Sequence, residues 1–265
     1  MAKKILFINQ EIAPFVPNSE LSDMGRDLPQ HMLEEGWDIR TFMPKWGNIN
    51  ERRGQLHEVI RLSGLNLAID DTDHTLIIKV ASIPTSRIQV YFIDNEEFFA
   101  KHHAGDDEHQ YDDDELNGER AIFFARGVLE TVKKLRWQPD VIMCQGWITQ
   151  VIPLYLKTAY KDEVAFSNAK VVSALFGDHL KTPFGKRFKK IVAFKSAKQK
   201  LMDKYNDNFN EVELGKLATD YSDAVIEAAD NVDSGLISYL KESGKPMLTL
   251  KNRDFSEFSD FFNKL

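Results

Sequence analysis

Three stretches of this 265-residue chain concentrate side chains able to do chemistry. Lys101-His102-His103-Ala104-Gly105-Asp106-Asp107-Glu108-His109 offers imidazoles and carboxylates of the kind that suit Zn²⁺ or Mn²⁺. A structural zinc site needs its ligands held in a tetrahedron, and nothing local fixes these. With Asp112, Asp113, Asp114 and Glu115 following, residues 101–115 read as an exposed acidic loop, and no metal is expected. The second stretch is basic: Lys181, Lys186, Arg187, Lys189, Lys190, Lys195, Lys198 and Lys200, interleaved with Phe184, Phe188, Ile191 and Phe194. Steps of three and four predict an amphipathic helix after Pro183, packed by its apolar face and cationic outside. The sharper alternative is a docking surface for an acidic partner or an anionic ligand. The third is Cys144-Gln145-Gly146-Trp147-Ile148-Thr149. A nucleophilic thiol needs a base nearby, and Gln145 and Gly146 supply none, so Cys144 reads as a small buried apolar group. Trp147 either packs in the core or presents an aromatic face to the C–H groups of a sugar ring.

These segments need elements to position them. Ile5-Leu6-Phe7-Ile8 is an unbroken apolar run, the pattern of a strand buried on both faces. Leu21, Met24, Leu28, Met32 and Leu33 share one face of a helix from about Leu21 to Glu35, in which Pro29 predicts a kink or a late start. Gly36 stops it, and Asp38 to Met43 form the next strand, completing a βαβ opening. Short β-type patterns follow over Leu56–Leu62, Thr75–Ile83 and Ile88–Ile93. A helix over Glu119–Leu135, a strand over Asp140–Cys144, a helix over Thr149–Tyr160 and a strand over Lys170–Leu175 continue the alternation. Ala224–Ile226, a helix over Val232–Lys241, a strand over Pro246–Leu250 and a last helix bearing Phe255, Phe258, Phe261 and Phe262 complete it. Strands alternating with helices predict a doubly wound, mostly parallel α/β sheet covered on both sides. Residues 1–265 read as one domain, with 223–265 a short closing segment.

Composition narrows the function. Hydrophobic residues make up 43%, enough for a core and too many for a disordered chain. The 34 basic against 41 acidic residues give a net charge of −7, which argues against nucleic acid as the main partner. One cysteine excludes an internal disulfide framework and fits a reducing compartment. No signal-peptide pattern opens the chain, and no run approaches the roughly 20 apolar residues of a membrane span. A cytoplasmic protein without a cofactor is expected.

Several segments resemble, collinearly over about residues 4–160, the bacterial glycogen synthases and plant starch synthases. They are Lys4 to Ile8 with Glu11-Ile12-Ala13-Pro14-Phe15; Leu21, Asp23, Leu28-Pro29, Gly36, Asp38-Ile39-Arg40 and Met43-Pro44; Val90 to Asn95 with Phe98-Phe99; Glu119-Arg120; Trp137 to Ile142; and Trp147 through Lys157. The resemblance implies a Rossmann-like sheet of the kind forming the N-terminal half of a GT-B glycosyltransferase. It implies a place in adding glucose from ADP-glucose to an α-1,4-glucan. The second GT-B domain, which holds most of the nucleotide site, would have to come from elsewhere.

The departures fall where that chemistry happens. The family's Lys-Thr-Gly-Gly-Leu-Ala-Asp loop aligns with Pro17-Asn18-Ser19-Glu20-Leu21-Ser22-Asp23. Proline removes a donor, and Glu20 repels a phosphate by on the order of 4 kcal/mol at 4 Å and an effective dielectric near 20. His-Asp-Trp-His-Thr becomes Gln145-Gly146-Trp147-Ile148-Thr149, so the histidine at the family's reaction centre is Ile148. Thr-Ile-His-Asn becomes Ala174-Leu175-Phe176-Gly177. No catalytic residue is expected; Asp23, Asp94, Asn95, Trp147 and Thr149 are expected to line a residual glucan-facing cleft. The expected partners are an α-glucan or maltooligosaccharide and a separate chain supplying the nucleotide-binding domain. The alternatives are a non-catalytic glucan-binding or regulatory module, or one half of a two-chain glycosyltransferase.

Overall fold

A computed structural model describes residues 2–104, 116–177, 180, 182–193 and 199–265. The strands are β1 (Lys4–Asn9), β2 (Asp38–Pro44), β3 (His57–Glu58), β4 (Leu65–Ile69), β5 (Thr72–Ser82), β6 (Gln89–Asp94), β7 (Val141–Gln145), β8 (Lys170–Leu175), β9 (Ala224–Glu227) and β10 (Met247–Thr249). The helices are α1 (Glu20–Glu34), α2 (Glu51–Gly54), α3 (Glu96–Phe99), α4 (Asn117–Leu135), α5 (Ile152–Lys157), α6 (Phe188–Ala193), α7 (Glu211–Tyr221), α8 (Ser234–Glu242) and α9 (Ser256–Asn263). The sheet runs β10-β9-β8-β7-β1-β2-β6-β5-β3, with β4 paired to β5 alone. From β10 to β6 every pairing is parallel, while β5 runs antiparallel to β6, β3 and β4.

The alternation of side chains along a strand puts one core on each face of the sheet. Leu6, Ile8, Ile142 and Cys144 join the larger core beneath α4 and α5. Ile5, Phe7, Val141 and Met143 join the core covered by α1 and α9, where Phe258 and Phe262 are buried. The central strands β1 and β7 therefore read as unbroken apolar runs over Ile5–Ile8 and Val141–Cys144. The carboxyl ends of the parallel strands gather along one edge, and the order reverses between β1 and β7, the place where such sheets position ligands.

Several expectations are corrected. Leu33 is 42% exposed rather than packed, while Met32 beside it in the last turn of α1 is fully buried. α1 starts at Glu20 and runs through Pro29, so its start is not late. Of Leu56–Leu62 only His57–Glu58 is a strand, while β4, over Leu65–Ile69, arises as a hairpin partner of β5. The segment after β7 begins as a single 3₁₀ turn, Trp147–Thr149, before α5. The basic stretch forms only the short α6 and a 3₁₀ turn at Gln199–Met202; residues 194–198 lie outside the described residues. Its apolar face is packed as expected, with Phe184, Phe188 and Ile191 buried and Lys186, Arg187 and Lys190 exposed, and its charges pair at the surface: Arg187 with Asp70, and Lys189 2.6 Å from Asp207. Of the 101–115 loop, residues 105–115 lie outside the described residues, and His102 is buried rather than solvated.

Candidate functional site

The carboxyl edge is built from turns that follow β1, β2, β6 and β7. After β1 the chain turns into α1 through Ser19, whose backbone is extended (φ −145°). Ser19 Oγ accepts from the Ser22 N–H at 3.0 Å, and Ser22 Oγ accepts from the Ser19 N–H at 2.8 Å, a reciprocal cap. Ser19 Oγ also donates to Glu11 Oε2 at 3.1 Å, and Glu11 is buried. The pattern Ser19-Glu20-Leu21-Ser22 carries this capping signal in the sequence. The helix end that could receive an anion thus holds hydroxyls, a buried carboxylate behind them and Glu20 in the first turn.

Gln145, the last residue of β7, donates from Nε2 to the Leu21 carbonyl at 2.6 Å and ties β7 to the first turn of α1. Gly146 follows with φ +88°, a conformation glycine adopts without cost. A Cβ there would lie 2.6 Å from Gln10 Cβ, so the aspartate of the family motif would not fit without rearrangement. Ile148 is fully buried in the larger core. Burial raises the Cys144 thiol far above its ordinary value, which keeps it protonated and inert.

The five expected cleft residues all come to this edge, with different surroundings. Asp23 accepts from Asn18 Nδ2 at 2.8 Å and pairs with Arg26 at 3.2 Å and Arg253 at 3.1 Å. Asp94 sits 2.9 Å from Lys79 Nζ, whose other partner is Glu51 at 2.6 Å; Lys45 also reaches Glu51, at 3.1 Å. Burial alone would lower the Lys79 pKa, but hydrogen bonds to Asp94 and Glu51 outweigh it and raise it. Burial alone would raise the Glu51 carboxyl, and hydrogen bonds from Lys79 and Lys45 hold it below its ordinary range. Asn95 caps α3, accepting from the Phe98 N–H at 3.2 Å and donating to the Thr75 carbonyl at 3.0 Å. Trp147 is 1% exposed and lies edge-on to Phe184, with ring centroids 5.6 Å apart. Thr149 Oγ1 donates to the Gly146 carbonyl at 2.8 Å. Asp23 and Asp94 thus sit at the mouth of the edge, and Asn95, Trp147 and Thr149 brace its turns. Sequence reasoning missed Lys79, which reaches Asp94 from an antiparallel strand, and Glu51, which reaches Lys79 from a one-turn helix.

Two hollows flank these turns. A groove of about 790 Å³ is lined by Pro14, Phe15, Ile49, Asn50, Arg53 and Gln55, among others. A smaller one of about 430 Å³ lies between the first turn of α1 and the ends of β8 to β10, against Met24, Phe176, Leu250 and Arg253.

The starch synthase catalytic domain family matches residues 4–233. The chain belongs to this family. Glycogen synthases of Chlorobium limicola and Chlorobium phaeobacteroides are 42% and 41% identical to it over 169 residues, covering 64% of this chain and 35% of each relative. It spans about a third of the length of the curated relatives it matches. The catalytic domain of starch synthase IV from Arabidopsis thaliana, solved bound to ADP and acarbose, superimposes with a TM-score of 0.75 at 17% identity, over 95% of this chain and 52% of that one. That likeness shows the fold: this chain has the α/β architecture of about half of a GT-B starch synthase catalytic domain. Among the described residues, no helix is long and apolar enough to cross a membrane, and no group of three or more His, Cys, Asp or Glu is placed to hold a metal ion.

Proposed function

We propose that this unit serves α-glucan metabolism by holding an α-1,4-glucan at the carboxyl edge of its sheet, without itself transferring glucose from ADP-glucose. The observation that carries the reading is the turn into α1. Catalysis with a sugar nucleotide needs preorganised donors aimed at the diphosphate; here Ser19 and Ser22 cap each other, with Glu11 and Glu20 beside them. The buried Ile148 adds to it, since an alkyl group cannot donate to a sugar hydroxyl. Family membership and the 790 Å³ groove favour a glucan. Its apolar wall of Pro14, Phe15 and Ile49 suits the C–H faces of sugar rings, and Asn50, Arg53 and Gln55 offer hydrogen bonds to hydroxyl edges. In this reading Asp23 and Asp94 contact the glucan, and Asn95, Trp147 and Thr149 hold the turns that carry them.

Pairing with a separate nucleotide-binding chain is the second reading, and it calls for an exposed apolar patch along this edge. Of the large exposed apolar residues among those described, Leu33, Ile60, Leu116 and Val164, only Leu116 opens a helix at that edge. The first reading is therefore preferred. Purified chain given labelled ADP-glucose with maltoheptaose or glycogen as primer is expected to incorporate no label. Calorimetry with maltoheptaose is expected to give a binding isotherm. Robust incorporation would overturn the non-transferring reading, and absence of any binding heat would overturn the glucan assignment.

A further inference from the structure

The segment that follows β10 forms a thin wall between two hollows. On one side lies the 430 Å³ cavity bounded by Met24, Phe176 and Leu250; on the other lies a cavity of about 460 Å³ against Met247, Thr249 and Glu257. Asn252 lines both. Lys251, Asn252, Arg253 and Asp254 are all exposed. Asn252 and Arg253 are successive left-handed residues, with φ +50° and +54°. Asparagine tolerates that region, whereas arginine takes it at a cost that surrounding contacts must meet. The strand before the wall is three residues long and paired on one side only. After it, α9 is anchored: Phe258 and Phe262 are buried, and Trp37 donates to Ser259 Oγ at 3.3 Å. An exposed segment with little packed against it, fixed at one end, belongs to the low-stability part of a structure. What pins it across the edge is Arg253, 3.1 Å from Asp23.

We infer that residues 251–255 form a gate, latched by Arg253 on Asp23, whose opening joins the two cavities and frees Asp23 Oδ2 for a hydroxyl of a neutral sugar, while Arg26 and Asn18 keep Oδ1 in place. The chemistry of the walls selects that ligand class. Met24, Phe176 and Leu250 give an apolar wall, Glu20 and Asp230 accept from hydroxyls, and Lys251 and Arg253 on the gate donate to them, a mixed lining that suits an uncharged polyol. This rests on the glucan reading above, in which Asp23 is a contact. A closed gate lowers apparent affinity in proportion to the fraction of molecules that are open.

Hydrogen exchange on the whole chain tests the gate without any ligand. An ion pair of this exposure contributes little, so in Arg253→Ala the amides of 251–255 should exchange about two- to fivefold faster, with α4 unchanged. Arg253→Lys should exchange like the wild type. Raising salt from low to high should speed exchange of this segment in the wild type and leave Arg253→Ala unmoved, because the ion pair is the screened element. Equal exchange in wild type and Arg253→Ala, or an equal response of both to salt, overturns the gate. Calorimetry with maltoheptaose then separates the two proposals. Tighter binding by Arg253→Ala, by a similar factor, supports the gate, and equal affinities overturn it. If neither protein binds while the exchange and salt results hold, the glucan reading fails and the gate stands.

Discussion

Where β2 and β6 end, four charged side chains answer one another: Lys79 between Glu51 and Asp94, and Lys45 on Glu51. Next to them, where β1 and β7 end, the chain places hydroxyls, amides and an alkyl group: Ser19, Ser22, Gln145 and Ile148. Both stretches occupy the same edge of one sheet, and both keep the family's strands. They differ in what is left over. At β2 and β6 each charge has a counter-charge within 3.1 Å, so the group is neutral as a whole and its members keep some exposure. At β1 and β7 the Ser19 and Ser22 hydroxyls and the Gln145 amide are spent on holding the turns together, while among the described residues Asn9 Nδ2, at the end of β1, is buried without a hydrogen-bond partner. A ligand site needs donors that the fold does not use, and the β1–β7 turn spends its hydroxyl donors on itself.

The largest effect that would break this comparison comes from restoring the family's histidine. Ile148→His puts an imidazole into a fully buried apolar site. Losing the alkyl contacts and burying an unmatched polar ring should cost about 3 kcal/mol. For a chain of this size that lowers the melting temperature on the order of 10 °C. Thermal unfolding followed by circular dichroism measures it. A variant as stable as the wild type would show that the β7 turn can still receive the catalytic side chain, and the contrast between the two stretches would collapse.

The charged stretch should respond less strongly, and in a pH-dependent way. Lys79→Met keeps the aliphatic stem but leaves Asp94, largely buried, without its cation; a loss of about 1–2 kcal/mol is expected in urea unfolding at neutral pH. The sign with pH follows from the shifts. The Lys79 pKa is raised above its ordinary 10.5, so its contribution is complete below that value and lost as pH rises through the higher folded-state value. The Glu51 pKa is lowered below 4.5, so its contribution is present above that value and lost as pH falls through the lower folded-state value. The gap between wild type and Lys79→Met should therefore narrow above pH 10.5 and again below 4.5. A gap that stays constant across both limits would remove the ion pairs from the account.

The same contrast explains what could be read from the sequence. The strands β1, β7 and β8 are legible because both faces are buried, which leaves unbroken apolar runs such as Ile5 to Ile8 and Val141 to Cys144, and a run broken only by Ser173 in β8. The helix α7 was not anticipated: Gly215 interrupts its apolar face, and its buried side chains are mostly small. The glycine is needed there, since a Cβ would lie 2.4 Å from Leu236 on α8. Periodicity carries no trace of that neighbour. The departures Glu20, Gly146 and Ile148 are local in sequence and stand out by residue type. The partners of Asp94 and Asp23 do not, because Lys79 and Arg253 approach from remote segments whose placement depends on strand order. Trp147 shows the remaining ambiguity: an aromatic after a strand end fits a sugar platform or a core, and its packing on Phe184 places it inside.

The smallest effect sharpens the comparison most, because it separates two jobs of one hydroxyl. Ser19 Oγ caps α1 by accepting from the Ser22 N–H, and it donates to the buried Glu11 carboxylate. Replacing a serine cap by alanine costs about 1 kcal/mol, whereas glycine, itself a fair N-cap, costs only a few tenths. If capping is what Ser19 mainly supplies, Ser19→Ala should lose about 1 kcal/mol and Ser19→Gly much less, read from urea midpoints at constant slope. If the link to Glu11 matters more, both variants lose the same hydrogen bond and should fall together. The first outcome makes the turn an ordinary helix start that happens to exclude phosphate. The second makes the buried carboxylate part of the edge's design, since a negative charge kept by a hydroxyl donor at a helix N-terminus occupies the place where a phosphate would be bound.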